Sequence, residues 1–326
     1  MEPFGSYPLV FTHHDLRLLP LSLPDHESNR NNNIVTQPKI VAVVLNWCGE
    51  EMTNHCLHSL LKSDYTKLLI LLVDNGSPDG SGERIRRSFP QIEFLQTGQN
   101  LGYTGGNNRG IEWALERNAD YVLILNNDTV LDPSAITKLA ETAENFGRPV
   151  DGVAPKILYH DDPERIWYAG GEFSPIKGLG LHWQEGELDE PDEKEATREV
   201  TFMTGACCLL SERSLKELKG FDEDFFAYVE DAELSLRMRR AGYKLLYQPA
   251  ARVLHHCSPP GTQPSAFQIR QRDLNRRRIM RKHTSLSKRL PFLARFYVTR
   301  GILLLGYVLT RDWERARAIL QGMGKG

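Results

Sequence analysis

Tyr121-Val-Leu-Ile-Leu-Asn-Asn-Asp-Thr129 is an apolar run that stops abruptly in two amides and one carboxylate. Tyr121 to Leu125 reads as a strand buried on both faces, as in a parallel sheet. Asn126, Asn127 and Asp128 then leave the sheet at its carboxyl end, where open α/β folds bind ligands. A lone carboxylate beside amide oxygens suits a hard divalent cation that carries a phosphate substrate. A plain polar turn is the competing reading, because Asp132-Pro133 is an ordinary helix start.

The pattern repeats on both sides of this stretch. Ile40 to Leu45 and Leu68 to Val73 are two more buried strands, separated by a helix carrying Met52, Cys56, Leu60 and Leu61. A helix around Gly82 to Ser88, a short strand at Ile92 to Leu95 and a helix through Ile111, Ala114 and Leu115 lead back to Tyr121. Strands alternating with helices specify an α/β fold with a mostly parallel, doubly wound sheet. Downstream, a helix from Pro133 to Phe146 ends at Gly147. Thr201 to Leu210 is an apolar strand, and Ser211 caps a short helix that Gly220 ends. Glu230 to Ala241 forms a helix, and Tyr243 to Tyr247 and Ala251 to Leu254 are strands. The expected organisation is a loose tail over 1–37, an α/β domain over 38–258 and a basic helical appendage over 259–326.

Hydrophobic content of 40% and charged content of 25% describe an ordinary soluble globular protein. A net charge of -2 gives no general case for nucleic acid. Charge is unevenly spread: Arg270 to Arg300 holds eleven Lys/Arg residues against one acid, Asp273. The five cysteines (Cys48, Cys56, Cys207, Cys208, Cys257) form no C-x-x-C pair and read as reduced core thiols of a cytoplasmic protein. Met1 to Gln37 lacks the pattern of a signal peptide. Phe292 to Thr310 is the nearest approach to a membrane span, and Arg295 and Arg300 interrupt it, so no span is expected.

Four groups of residues bear on chemistry. Glu230-Asp231 begins a helix, whose dipole favours ionised carboxylates; the pair serves either a general base or simple capping. His255 ends a strand, where an imidazole suits manganese or is merely hydrogen-bonded to backbone. Asp74 ends the second strand, in position to accept from a nucleobase imide or to make an Asx turn. Gly102, Gly105, Gly106 and Gly110 permit close backbone approach to phosphate or sugar at a helix N-terminus. Their spacing is not G-x-G-x-x-G, which disfavours a dinucleotide site and a dehydrogenase. Phe225, Phe226, Tyr228 and the Trp167–Phe173 loop either line an acceptor site or pack.

Taken in order, Val43-Val-Leu-Asn-Trp47, Val73-Asp-Asn-Gly-Ser77, Asn100-Leu-Gly-Tyr, Gly105-Gly-Asn-Asn-Arg-Gly110, Leu125-Asn-Asn-Asp-Thr129, Thr204-Gly-Ala206, Phe221-Asp and Glu230-Asp-Ala-Glu-Leu234 with His255 form a specific set. From about Lys39 to His256 the chain resembles the family-2 glycosyltransferases with a GT-A fold, especially the bacterial rhamnosyltransferase-like branch. The resemblance implies inverting transfer from a nucleotide-diphosphate sugar (dTDP- or UDP-linked), with Mn2+ or Mg2+. It implies that Asp74 and Asn46 hold the nucleobase, and that Asn100, Gly102 and Gly106 belong to the donor-binding turn. Asn126 and Asp128 occupy the family's D-x-D motif around Asn127, with Asp128 on the metal. His255 matches a position that adds a metal ligand in some members. Asp231 matches the catalytic base and Glu230 its acidic neighbour. Asn126 stands where many relatives have Asp, leaving fewer charges on the ion.

The expected function is therefore a glycosyltransferase acting on a glycan or polyprenyl-linked acceptor in cell-surface polysaccharide synthesis. The alternative is a non-catalytic GT-A domain that binds nucleotide-sugar or glycan without turnover. The basic, partly apolar segment 268–310 either docks on the inner face of the cell membrane or packs on the catalytic domain or on a second copy in a homodimer.

Overall fold

The computed structural model describes residues 37–146, 150–190, 195–257 and 262–324, so the expected tail over 1–37 lies outside the described residues save Gln37. The chain first lays down β1 (Ile40–Asn46), α1 (Glu50–Leu60), β2 (Leu68–Asp74), α2 (Ser81–Ser88), β3 (Glu93–Gln96), α3 (Gly102–Glu116) and β4 (Tyr121–Asn126). β1 pairs in parallel with β2 and β4, and β2 with β3, giving the order β3-β2-β1-β4. These central strands are almost wholly buried, which is why they read as unbroken apolar runs.

β5 (Thr129–Leu131), α4 (Ala135–Asn145), β6 (Gly152–Tyr159), β7 (Ile166–Tyr168), β8 (Gly171–Ser174), β9 (Leu179–His182) and β10 (Arg198–Glu199) follow. Next come β11 (Cys207–Ser211), α5 (Glu212–Leu218), α6 (Glu230–Arg240) and β12 (Leu245–His255). β11 lies antiparallel between β4 and β6, and β12 runs parallel to β6, so the parallel core grows into a mixed ten-stranded sheet. β8 and β9 form a separate hairpin.

Two strand expectations are corrected. The strand expected from Thr201 begins only at Cys207, because Thr204-Gly205-Ala206 turn aside to meet α6. The two strands expected between Tyr243 and Leu254 are one, β12, with an irregularity between Gln248 and Arg252 where Pro249 cannot donate to a ladder. Cys56, Cys207 and Cys208 are buried as expected, whereas Cys48 is exposed.

The C-terminal helices are α7 (Ala266–His283), α8 (Leu286–Leu309) and α9 (Trp313–Met323). Ser265 starts α7 with a reciprocal capping box to Gln268. Ile279, Met280, Phe292 and Phe296 are buried in the same core as the sheet. Residues Gln37–Gly326 cluster as one compact unit, so the C-terminal helices pack on the α/β domain. α8 carries the apolar stretch that begins at Phe292. It is long and apolar enough to cross a membrane by length and composition. Arg300 does not break it, because that guanidinium turns inward to the buried carboxylate of Asp273 at 3.1 Å.

Candidate active site

Strand register assembles the first part of the site. β5 pairs antiparallel with β12 so that Thr129 faces His255. The preceding residue, Asp128, therefore reaches a histidine far away in sequence: Oδ1 lies 3.1 Å from His255 Nε2. The His256 N–H donates to the Asp128 carbonyl at 2.8 Å and fixes the turn. The Trp167 ring stands edge-on to the His255 imidazole at 4.5 Å. Asp128 Oδ1 and His255 Nδ1 are buried without a hydrogen-bond partner. An unpaired buried polar atom costs about 1–3 kcal/mol, so such atoms call for another ligand. A divalent cation fits this donor set: one carboxylate oxygen and one imidazole nitrogen suit manganese better than magnesium.

The Asn127 amide faces elsewhere. Asn127 donates its side-chain N–H to Thr53 Oγ1 at 2.9 Å, tying the turn to the first turn of α1. Asn126 ends β4, and its backbone N–H donates to the Ala206 carbonyl at 2.9 Å.

At the ends of β1 and β2, Asn46 donates to Asp74 Oδ1 at 2.8 Å. Ser77 Oγ–H donates to the same oxygen, while Gln96 Nε2 and the Ser77 N–H donate to Oδ2. Asp74 is only 1% exposed. Its two oxygens already take four protein donors, about the full capacity of a carboxylate. A nucleobase N–H thus reaches Asp74 only by displacing one of them, and Gln96, at the end of the edge strand β3, is the exposed donor. Nothing in the local sequence pattern marks Gln96 as a partner of Asp74.

The glycine-rich turn is also revised. Asn100 Oδ1 accepts from the Gly102 N–H at 2.8 Å, and Asn75 donates to the Gly102 carbonyl at 2.9 Å. Gly102 has φ +73°, and a Cβ there would lie 2.4 Å from the Phe226 carbonyl oxygen. It therefore makes room for the 221–229 loop. Gly106 lies inside α3, where a Cβ would strike the Leu45 side chain at 2.5 Å. There it serves the close packing of α3 on β1.

The second part of the site is the start of α6. Asp231 is half-buried, with Oδ2 accepting from the Gly205 N–H at 3.1 Å and Oδ1 from the Ala232 N–H at 2.8 Å. Tyr103 Oη–H donates to the Gly205 carbonyl at 2.7 Å, fixing the loop from the opposite side. Burial pushes the Glu230 carboxyl well up, and the Asp231 charge beside it adds to the rise. Burial raises Asp231 too, but the N–H groups of Gly205 and Ala232 oppose the rise. Of the pair, Glu230 is raised more strongly than Asp231. The segment Thr204-Gly205-Ala206 thus touches both parts of the site, Asn126 through Ala206 and Asp231 through Gly205.

Tyr228 and Val229, immediately before Glu230, both have positive φ, +68° and +74°. A β-branched residue in that region is strained by about 1–3 kcal/mol and persists only where its surroundings hold it. Asn275 of α7 does so: its buried amide donates to the carbonyls of Ala227 and Tyr228 at 2.9 and 2.8 Å. Lys282 of the same helix pairs with Asp222 and Asp224. Asn275→Ala leaves two carbonyls without these donors, and the expected result is a modestly lower melting temperature with a turnover loss larger than unfolding explains. Parallel thermal melts and single-turnover rates check this; a rate loss that merely tracks the unfolded fraction would remove the positioning role.

The family model for glycosyl transferase family 2 matches residues 40–219. The chain belongs to that family. It is 32% identical over 223 residues to the N-acetylglucosaminyl-diphospho-decaprenol L-rhamnosyltransferase of Mycobacterium tuberculosis, covering 61% of this chain and 70% of the relative. It is 27% identical over 244 residues to a low-salt glycan biosynthesis hexosyltransferase of Haloferax volcanii, covering 74% and 75%. The fold is GT-A. A mannosyltransferase from Pyrobaculum calidifontis, solved with GDP-Man and Mn2+, superposes with a TM-score of 0.54 at 14% identity over 89% of this chain and 87% of that one. GalNAc-T7, solved with UDP, GalNAc and Mn2+, gives 0.59 at 17% identity over 76% of this chain, which spans about half (48%) of its length. This family-2 protein is a glycosyltransferase, rhamnosyltransferase-like in sequence, of the kind used in polysaccharide or glycolipid synthesis.

Proposed function

We propose that this glycosyltransferase is inverting and metal-dependent, and moves a sugar from a dTDP- or UDP-linked donor to a hydroxyl of a glycan or polyprenyl-linked acceptor. The carrying observation is the buried, unpartnered Asp128 oxygen set against His255 by strand register. Asp128 and His255 would hold the cation, which when bound neutralises charge on the leaving diphosphate. Asp231 accepts the proton of the acceptor hydroxyl as its oxygen attacks the anomeric carbon. The bond to the diphosphate breaks on the opposite face, so configuration inverts without a covalent sugar–protein intermediate. The mycobacterial relative, whose name specifies a decaprenyl-diphosphate acceptor, supports the acceptor class.

A thermal-shift panel of UDP-, dTDP- and GDP-sugars, each with and without Mn2+, tests the reading. Stabilisation by a dTDP- or UDP-sugar that requires the metal is expected. Saturating ligand at about 100 times its dissociation constant adds about 2.7 kcal/mol. No metal-dependent shift with any donor would count decisively against it.

A lipid-linked acceptor also gives α8 a role at the inner face of the membrane. Val298, Ile302, Leu305 and Leu309 lie at i, i+4, i+7 and i+11 and are 63%, 66%, 59% and 74% exposed. They form one apolar stripe on the outer side of the helix, opposite Phe292 and Phe296. Exposed Lys288, Arg295 and Arg311 accompany it, a combination that docks in the plane of anionic lipid. Flotation with anionic vesicles is expected to carry the wild type, with salt weakening binding and Ile302→Asp with Leu305→Asp releasing it. Equal flotation of that variant would remove the role, and a concentration-dependent dimer lost in the variant would assign the stripe to a second copy.

A further inference from the structure

β6 and β12 run parallel, and their last paired residues are Tyr159 and His255. The residue after each is a histidine, so parallel register delivers His160 and His256 to the same corner of the sheet. The His160 N–H donates to the His255 carbonyl at 2.9 Å, locking the two strand ends together. The two imidazoles stack with centroids 3.3 Å apart and planes inclined by 25°. Asp161 brings a carboxylate oxygen to 3.0 Å from His160 Nδ1 and 3.9 Å from His256 Nδ1. His55, reaching over from α1, puts a third imidazole 6.4 Å from that of His256.

One donor atom from each of His160, Asp161 and His256 lies within 4.8 Å of the other two. That span is small enough for side-chain rotations to bring all three onto one ion at the usual distance of about 2.0–2.2 Å. The His256 side chain is 15% exposed, and its Nε2 is buried without a hydrogen-bond partner. A buried imidazole nitrogen without a partner is costly, and ligation offsets that cost. The exposed Asp161 leaves the corner open to ions from solvent.

We infer that His160, Asp161 and His256 form a second cation site, separate from Asp128 and His255, that takes a zinc-class ion. Two imidazoles and one carboxylate favour zinc, cobalt or nickel over magnesium, which prefers an all-oxygen shell. Three protein ligands leave a coordination position for water, so the site is an exchangeable one rather than a closed structural centre. The His256 N–H bond to the Asp128 carbonyl, 2.8 Å long, joins this corner to the turn of the donor-cation site. The inference stands independently of which sugar is transferred, or of whether transfer occurs.

Full-length protein without a histidine tag, stripped with chelator and titrated with Co2+, provides the test. The expected result is the visible absorption of four- or five-coordinate cobalt at stoichiometric metal, bleached by Zn2+ and persisting in excess Mg2+. His160→Ala with Asp161→Asn should weaken this binding by at least about tenfold. The same variant should keep the metal-dependent stabilisation by nucleotide-sugar, which belongs to Asp128 and His255. Asp161→Asn alone, an exposed change, is the control should the double variant fold poorly, and weaker binding is expected there too. No visible band in the wild type, an unchanged band in both variants, or a band lost only in Asp128→Ala would overturn the inference.

Discussion

Asp231→Asn is expected to lower the transfer rate by about 10²- to 10⁴-fold, the usual contribution of a positioned general base, while nucleotide-sugar and cation binding persist. The reason lies in how the carboxylate is held. Gly205 and Ala232 donate to one oxygen each and favour the charged form against the burial that raises it, beside the more strongly raised Glu230. Asparagine retains the shape but has only one acceptor oxygen, so one N–H loses its partner, a cost of about 1–3 kcal/mol. Relief of a desolvated charge offsets part of that loss, so the melting temperature at neutral pH should move little.

The pH dependence has a definite sign. Burial raises the Asp231 carboxyl above its ordinary value, so the wild-type rate falls as pH drops through that raised pKa. The variant has no such limb. The same shift acts oppositely on stability. A carboxyl that binds its proton more tightly when folded contributes stability below its unfolded pKa and loses it as pH rises through the folded one. Rates and melts across pH, measured on both proteins, check this. Equal transfer by Asp231→Asn would sink the base assignment.

Much of this was legible in the sequence because burial on both faces leaves a plain mark. β1, β2 and β4 are apolar throughout, and each ends at a polar residue, Asn46, Asp74 or Asn126, on the ligand side of the sheet. The same logic failed at Thr201 to Ala206, where apolar residues belong to a loop whose path is set by its bond to Asp231. At Gly106, closeness to phosphate and closeness to Leu45 require the same missing side chain, so the residue type alone does not separate them. Gln96 and Asn275 left no mark at all, and Tyr103 entered only as part of a family motif, with no role. Each acts through a hydrogen bond to a residue distant in the chain, and local periodicity carries no information about such partners. The nearness of Asp128 to His255 came from family resemblance alone; its physical cause, the register of a three-residue strand against β12, is visible only in the fold.

Asp128→Ala should separate the stability of the free protein from that of the liganded one. Without ligand, Asp128 Oδ1 makes no hydrogen bond and only the close contact with His255, so removing it costs the free protein little. The backbone link survives, because the His256 N–H donates to the Asp128 carbonyl and not to its side chain. The free variant should therefore melt close to the wild-type temperature. With donor and Mn2+ the two proteins diverge. On the proposed reading Asn126 supplies no charge, so Asp128 would be the negative group on which the cation depends, and the His255 nitrogen 3.1 Å away would add no charge to the ion. Loss of that carboxylate should weaken metal-dependent donor binding by more than about 100-fold, above the 10- to 100-fold seen when only an outer partner of a metal ligand is lost. At a donor concentration about 100 times the wild-type dissociation constant, nearly all of the roughly 2.7 kcal/mol of ligand stabilisation should vanish. Melting curves of both proteins, free and with donor and Mn2+, read all four states. A variant that melts lower when free, yet keeps its metal-dependent shift, would show that Asp128 holds the turn together and does not bind the ion.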